Sequence, residues 1–181
     1  MDLEYYILEF FQMRVRTPFL DSIMPVISNL GRYGVTIILV FIVSIISKNH
    51  KRLGIKIIFA AAMSFINCNL ILKPIVNRMR PYVLDTTVQL LMKGEADASF
   101  PSGHTFYAFS AATVCFMYNK KLGIVMYIFA ALVGISRLYV YEHFPTDVIF
   151  GALFGIITGI IAYKLEDYIF SKNKKLHSKS Y

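Results

Sequence analysis

Charge is scarce in this chain: Lys, Arg, Asp and Glu together make up 17% of its 181 residues, against roughly 25% in soluble domains. Acids are scarcer than bases, 11 against 19, which leaves a formal net charge of +8. No Gly/Ser-rich or Pro-rich linker divides the sequence, so a single domain over residues 1–181 is expected. Cysteine is limited to Cys68 and Cys115. Both sit inside apolar stretches without metal-ligand spacing, and each reads as a small core residue. The N-terminus carries Asp2, Glu4 and Glu9 where a removable signal peptide would have a basic region, so the first methionine is expected to be retained.

What is abundant is apolar: 56% of the residues, with a mean hydropathy of +0.56. The basic residues fall in short clusters between apolar runs rather than along one solvated face, which argues for membrane topology and against a nucleic-acid partner. Five charge-free runs stand out, Tyr33–Ser47, Ile57–Leu72, Thr105–Asn119, Leu122–Ser136 and Val148–Tyr163, each 15 or 16 residues long. A helix needs about 20 residues to cross a hydrocarbon core about 30 Å thick. Five such runs in succession nevertheless leave too little polar surface for a soluble domain, and flanking Lys and Arg side chains can snorkel to extend each span. The expected fold is an all-α polytopic bundle of five transmembrane helices over residues 31–165, after N-terminal interfacial helices (1–30) and before a basic cytoplasmic tail (166–181).

Alternation of the spans puts the clusters at residues 48–56, at Lys120 and Lys121, and after Tyr163 on one side, eleven basic residues against eight on the other. The positive-inside tendency assigns the richer side, with the C-terminus, to the cytoplasm. Thr17-Pro18 reads as an N-cap followed by proline at the first helical position, and Leu20, Ile23, Met24, Ile27 and Leu30 then recur at helical spacing. In the fifth span Gly151, Gly155 and Gly159 form a small-residue stripe, expected to pack within the bundle rather than across a dimer interface.

Three polar constellations fall on the side opposite the cytoplasm: KPIVNRMRP (73–81), PSGH (101–104) and SRLYVYEHFPTD (136–147). Singly, each has an ordinary reading. Basic residues at helix ends are commonly interfacial anchors, the role expected for Arg78; PSGH could be a turn before a helix; His143 and Asp147 could be a buried polar pair or half of a metal site. Together they place Lys73, Arg80 and Arg137 near one another, a set suited to phosphate oxygens, with no carboxylate cluster expected to claim them instead. Ser102 and Gly103 begin a helix after Pro101, where free backbone N–H groups and the positive helix end can hold an oxyanion.

Pro145 is expected to open the fifth helix, leaving Asp147 in its first turn, able to reach back to His143. A carboxylate on one ring nitrogen leaves the other free to attack phosphorus, and His104 can protonate the departing oxygen. A zinc site would need further ligands, but His50 and His177, the remaining two of four histidines, fall on the cytoplasmic side. No metal and no cofactor is expected.

K-x6-RP, PSGH and SR-x5-H-x3-D, in this order over residues 73–147, resemble the three-part signature of the type 2 phosphatidic acid phosphatase superfamily. The resemblance implies Mg²⁺-independent phosphate-ester hydrolysis through a phosphohistidine at His143, with Asp147 orienting it and His104 as general acid. It also implies phosphate contacts from Lys73, Arg80, Ser102, Gly103 and Arg137. The partners implied are membrane lipids and a lipid phosphate or diphosphate, an undecaprenyl-type polyprenyl diphosphate first by family resemblance, then phosphatidylglycerophosphate or phosphatidic acid. Transfer of the phosphoryl group to another acceptor is a related reading. A small anion or lipid transporter is the rival of another class, because intramembrane charges often mark a substrate path.

Overall fold

The computed structural model describes residues 3–31 and 51–177, with side chains as far as Ser171. The expected span Tyr33–Ser47, with Lys48 and His50, lies outside the described residues. Among the described residues every regular element is helical.

Helix α1 (Leu3–Phe10) runs into a π-helical turn, Phe11–Val15. Helix α2 (Pro18–Gly31) begins where the sequence puts it. The Thr17 hydroxyl accepts from the Leu20 N–H at 3.3 Å, which satisfies one orphan donor of the helix start, and the Thr17 carbonyl accepts the first regular helical bond, from the Asp21 N–H at 2.8 Å.

Helix α3 (Lys51–Ser64) continues through π-helical turns, Phe65–Leu72, into a last turn, Lys73–Val76. It stops because Asn77 turns left-handed at φ 44°, with its N–H on the Lys73 carbonyl at 2.9 Å; asparagine tolerates this conformation better than most residues. Pro81 then holds Arg80 extended, as proline does to the residue before it, and opens the single-turn α4 (Pro81–Leu84). This stop brings Lys73, Arg78 and Arg80 to one end of the bundle.

The remaining helices are α5 (Gly103–Tyr118), α6 (Lys120–Tyr139) and α7 (Pro145–His177). Only Asn119 separates α5 from α6; its side chain caps α6 by accepting from the Leu122 N–H at 3.1 Å. Among the described residues three helical stretches are long and apolar enough to cross a membrane: Lys51–Leu84, Lys120–Tyr139 and Pro145–Ser171. They contain the second, fourth and fifth expected spans. The third is α5, only 16 residues long and almost wholly buried, packed mainly against α7 and α6 and also against α3. A helix enclosed by its neighbours need not meet the lipid along its full length. Cys68 and Cys115 are buried free thiols, as expected.

The glycine stripe of α7 lies on α5. A Cβ at Gly151 would stand 2.8 Å from the Ser102 carbonyl oxygen, at Gly155 2.5 Å from that of Phe106, and at Gly159 2.7 Å from that of Ser110. The expectation of packing inside the bundle holds, and it is this contact that seats the PSGH turn against the start of α7.

Two boundaries differ from the sequence reading. The tail expected from residue 166 starts inside α7, which continues to His177. Glu166 and Asp167 take up the buried Lys56 ammonium at 2.6 and 2.8 Å, and Arg52 joins Asp167 at 2.6 Å, so Lys56 is a paired group inside α3 rather than a loop residue. The second concerns residues 1–30, expected as interfacial helices with an additional irregular span as the alternative, for which the structure gives the packing partners. Helix α2 packs on α6 and α5, with Ser28 fully buried and Gly31 close to Val133 and His104, while α1 buries Leu8 against Tyr141 and Phe144.

Gly155→Ala is therefore expected to lower stability by about 1–3 kcal/mol, the usual cost of overpacking, because the nearest atom to the new methyl is backbone. Thermal unfolding in detergent checks this, with the exposed Leu153→Ala as reference; equal midpoints for the two variants would contradict the packing.

Candidate active site

All eight expected site residues gather at the end of the bundle where α3 and α6 stop and α5 and α7 start. Lys73, Arg80, Ser102, His104, Arg137, His143 and Asp147 are all buried, and Gly103 faces Lys73, whose Nζ would be 3.9 Å from a Cβ at that position. An Arg80 Nη1 nitrogen lies 3.3 Å from His143 Nε2. That nitrogen points into the cationic cluster, while Nδ1 points the other way, towards Asp147 and Ser99.

His143 and Asp147 meet less directly than their spacing implies. Nδ1 and Oδ2 are 3.7 Å apart, too far for a hydrogen bond. The buried Ser99 hydroxyl fills the gap, donating to Asp147 Oδ2 at 2.5 Å and standing 3.4 Å from His143 Nδ1. Asp147 also accepts from the Phe144 N–H at 2.8 Å, the backward reach of an N3 acid in a capping box. Its other oxygen accepts from Arg78 at 2.8 Å. Arg78 in turn binds Glu4 of α1 at 2.5 Å and stacks on the Phe144 ring at 4.0 Å. Arg78 is thus no interfacial anchor: it ties Asp147 to the N-terminal helix.

The PSGH turn also differs in detail from the sequence reading. The Ser102 N–H is not free, since it donates to the Asp147 carbonyl at 3.0 Å, and the Ser102 hydroxyl pairs with that of Thr105 at 3.0 Å. What that turn turns towards Lys73 is Gly103, which has no side chain.

The largest departure is in charge. The sequence reading expected no carboxylates around the cations, yet three are there. Glu142 is buried between Arg80 and Arg137, at 3.0 and 2.5 Å. Glu95 lies 2.9 Å from Arg80, 3.5 Å from Arg137 and 3.6 Å from His104 Nε2. Asp97 binds Lys73 and, at 2.5 Å, Arg80. Arg137 also donates to Ser28 of α2. Glu142 stands inside the SRLYVYEHFPTD stretch between Arg137 and His143, a signal that was available; Glu4 and Ser28, more than a hundred positions from their partners Thr146 and Arg137, gave none.

His143 is fully buried, and that burial, reinforced by the nearby charges of Arg80, Arg137 and Lys73, holds its imidazole well below its ordinary 6.5. The ring is neutral at pH 7, with a lone pair at Nε2 when Nδ1 carries the proton. Burial alone would raise the Asp97 carboxyl, but the hydrogen bond from Lys73 and the charges of Lys73 and Arg80 outweigh it and keep Asp97 ionised below the usual range. Among the described residues no three His, Cys, Asp or Glu side chains converge as a metal-ligand group.

Apolar helices around a buried cluster of paired charges with a histidine at its edge define a class: helical membrane proteins with a histidine-containing polar site at one end of the bundle. Comparison with known proteins narrows it. The chain belongs to the PAP2 superfamily, whose family profile it matches over residues 29–171, as the signature led one to expect. It is similar to the undecaprenyl-diphosphatase BcrC of Bacillus subtilis, 38% identical over 90 residues, which are 50% of this chain and 46% of that protein. The match thus spans about half the length of that relative. An undecaprenyl-diphosphatase of Sulfolobus acidocaldarius is 28% identical over 148 residues, 81% of this chain and 71% of the relative. The crystal structure of Aquifex aeolicus LpxE superposes with a TM-score of 0.79 at 33% identity, covering 91% of this chain and 96% of that one.

The depressed His143 basicity has a testable sign. As pH falls below 6.5, an unfolded histidine gains a proton that the folded ring refuses, so this group makes stability fall with acidification in that window. NMR titration of ring-labelled histidines, only four in the chain, is expected to show one resonance, lost in His143→Asn, that remains neutral well below pH 6.5. A His143 midpoint at or above 6.5 would contradict the site electrostatics.

Proposed function

We propose that this protein is an integral membrane lipid phosphatase that cleaves a lipid phosphate or diphosphate through a phosphohistidine at His143, without a metal ion. The observation that carries the proposal is the convergence of Lys73, Arg80 and Arg137 beside a neutral, buried His143 whose Nε2 faces them. In the first step Nε2 bonds to phosphorus as the bond to the leaving oxygen breaks, and His104 gives that oxygen its proton. The three cations hold the non-bridging oxygens, where charge builds up in the transition state. In the second step water attacks the phosphohistidine, His104 takes its proton, and inorganic phosphate leaves. Asp147, with Ser99 and Arg78 behind it, keeps the Nδ1 side of His143 in place.

The substrate reading is an undecaprenyl-type polyprenyl diphosphate, supported by the two relatives named undecaprenyl-diphosphatase. The cluster lies at the end of apolar helices, a position that suits a lipid phosphate entering sideways while its tail remains in the bilayer. The distribution of basic residues supports an active site on the extracytoplasmic side and a cytoplasmic C-terminus.

Purified protein assayed in a chelator against polyprenyl diphosphate, phosphatidylglycerophosphate and phosphatidic acid is expected to release inorganic phosphate, fastest from the first, with His143→Ala inactive. Activity that vanishes with the chelator and returns with a divalent cation would overturn the metal-free mechanism. Phosphate appearing on a lipid or sugar acceptor would mean transfer rather than hydrolysis, and phosphate flux in liposomes without turnover would mean transport. His104→Ala is expected to lose far more activity on alkyl than on activated aryl phosphates, because only the poor leaving group needs a proton. Equal losses would remove His104 from that role.

A further inference from the structure

The carboxylates of Glu95 and Asp97 occupy the positions around the cations that phosphate oxygens need. Lys73, Arg80 and Arg137 carry three positive charges, and Glu95, Asp97 and Glu142 carry three negative ones, so these six side chains balance one another. Adding a phosphate dianion to this balanced and mostly buried set would bring in two negative charges with at most the His104 proton to offset them, which is costly. Some carboxylates must leave. Glu142 is enclosed on the short α6–α7 connection with 1% of its surface exposed and bridges both arginines. Glu95 and Asp97 sit two residues apart on the irregular segment between α4 and α5, where Asp97 has 46% of its side chain exposed.

We propose that Glu95 and Asp97 are a resident substitute for the substrate phosphate, exchanged as a pair for one phosphate dianion and returning to help expel the inorganic phosphate product. This inference rests on the reading of the cationic cluster as a phosphate site and adds the charge exchange that such a site requires here. Two carboxylates leaving and one dianion entering leaves the charge of the cluster unchanged. The exchange also reaches His104: Glu95 stands 3.6 Å from its Nε2, and movement of Glu95 would let the leaving oxygen approach that nitrogen. Space beside the pair exists, a cleft of about 460 Å³ lined among others by Asn77, Arg78, Tyr82, Gly94 and Ala98. The segment's backbone is held by the Tyr82 hydroxyl, which donates to the Glu95 carbonyl at 2.5 Å, and by Arg80 Nε, which donates to the Asp97 carbonyl at 2.9 Å; just beyond the pair the Ser99 N–H donates to the Arg78 carbonyl at 2.8 Å, so the exchange concerns the residues before Ser99.

Two measurements on purified full-length protein in detergent test the exchange, both with inorganic phosphate as the probe. Titration calorimetry on Asp97→Asn and Glu95→Gln is expected to show phosphate binding at least about tenfold tighter than in the unaltered protein, roughly 1.4 kcal/mol, because a competing charge is gone. A nitroxide at Ala96→Cys, between the two acids, is expected to become more mobile in phosphate; Cys68 and Cys115 are buried and leave the label its own site. The label keeps both carboxylates and so reports on the exchange even if the charge variants fold poorly. Phosphate that binds the unaltered protein without freeing the label, and no more tightly in the variants, would overturn the exchange while leaving the phosphate site standing. Absence of phosphate binding in every form would overturn both.

Discussion

The rest of the structure depends on charge neutrality at one buried end of an apolar bundle. Unpaired, each of Lys73, Arg80 and Arg137 would carry a desolvation penalty of several kcal/mol, more than a protein of marginal stability tolerates three times over. The chain meets this constraint in two ways. Glu142 is a fixed counter-charge between the arginines, held on the same short connection that delivers His143. Glu95 and Asp97 are counter-charges on an irregular segment near the surface. Under the proposed exchange Glu142 stays, and only the outer pair gives way to a ligand of matching charge.

Backbone geometry then puts chemistry at that end. Left-handed Asn77 and extended Arg80 turn α3 back on itself, while close packing of Gly151, Gly155 and Gly159 on α5 carbonyls fixes the height of the PSGH turn against α7. The Ser102 N–H on the Asp147 carbonyl couples the two helix starts, so His104 and His143 are held by a shared frame. Burial and positive neighbours make His143 a neutral ring with one nitrogen towards the cations. That is what a nucleophile working near pH 7 requires.

Much of this was legible from sequence because it is local. Capping by Thr17, the start of α7 at Pro145, the glycine stripe and the membership of Lys73, Arg80, Arg137, His104, His143 and Asp147 in one site all follow from spacing and residue chemistry. What escaped depends on long-range placement. Arg78 resembles any basic residue at a helix end until Glu4 and Asp147 are seen on either side of it. Ser99 is one serine among several until it stands between Asp147 and His143. Glu95 and Asp97 lie on a segment whose own sequence does not show that it folds back over the cations. The reading of α7 stopped at its charges because Lys56, across the bundle, could not be known to pair with Glu166.

The central claim is that this balanced cluster exists to set a phosphoryl group against His143 Nε2. Rapid acid-free quenching of turnover with a ³²P-labelled lipid phosphate, followed by peptide mapping, tests it most directly. The expected result is an acid-labile, alkali-stable phosphoryl group on His143, absent from His143→Ala and accumulating in His104→Ala when an activated aryl phosphate is the donor. Label on any other residue, or full turnover with no phosphoenzyme at any time, would contradict the account.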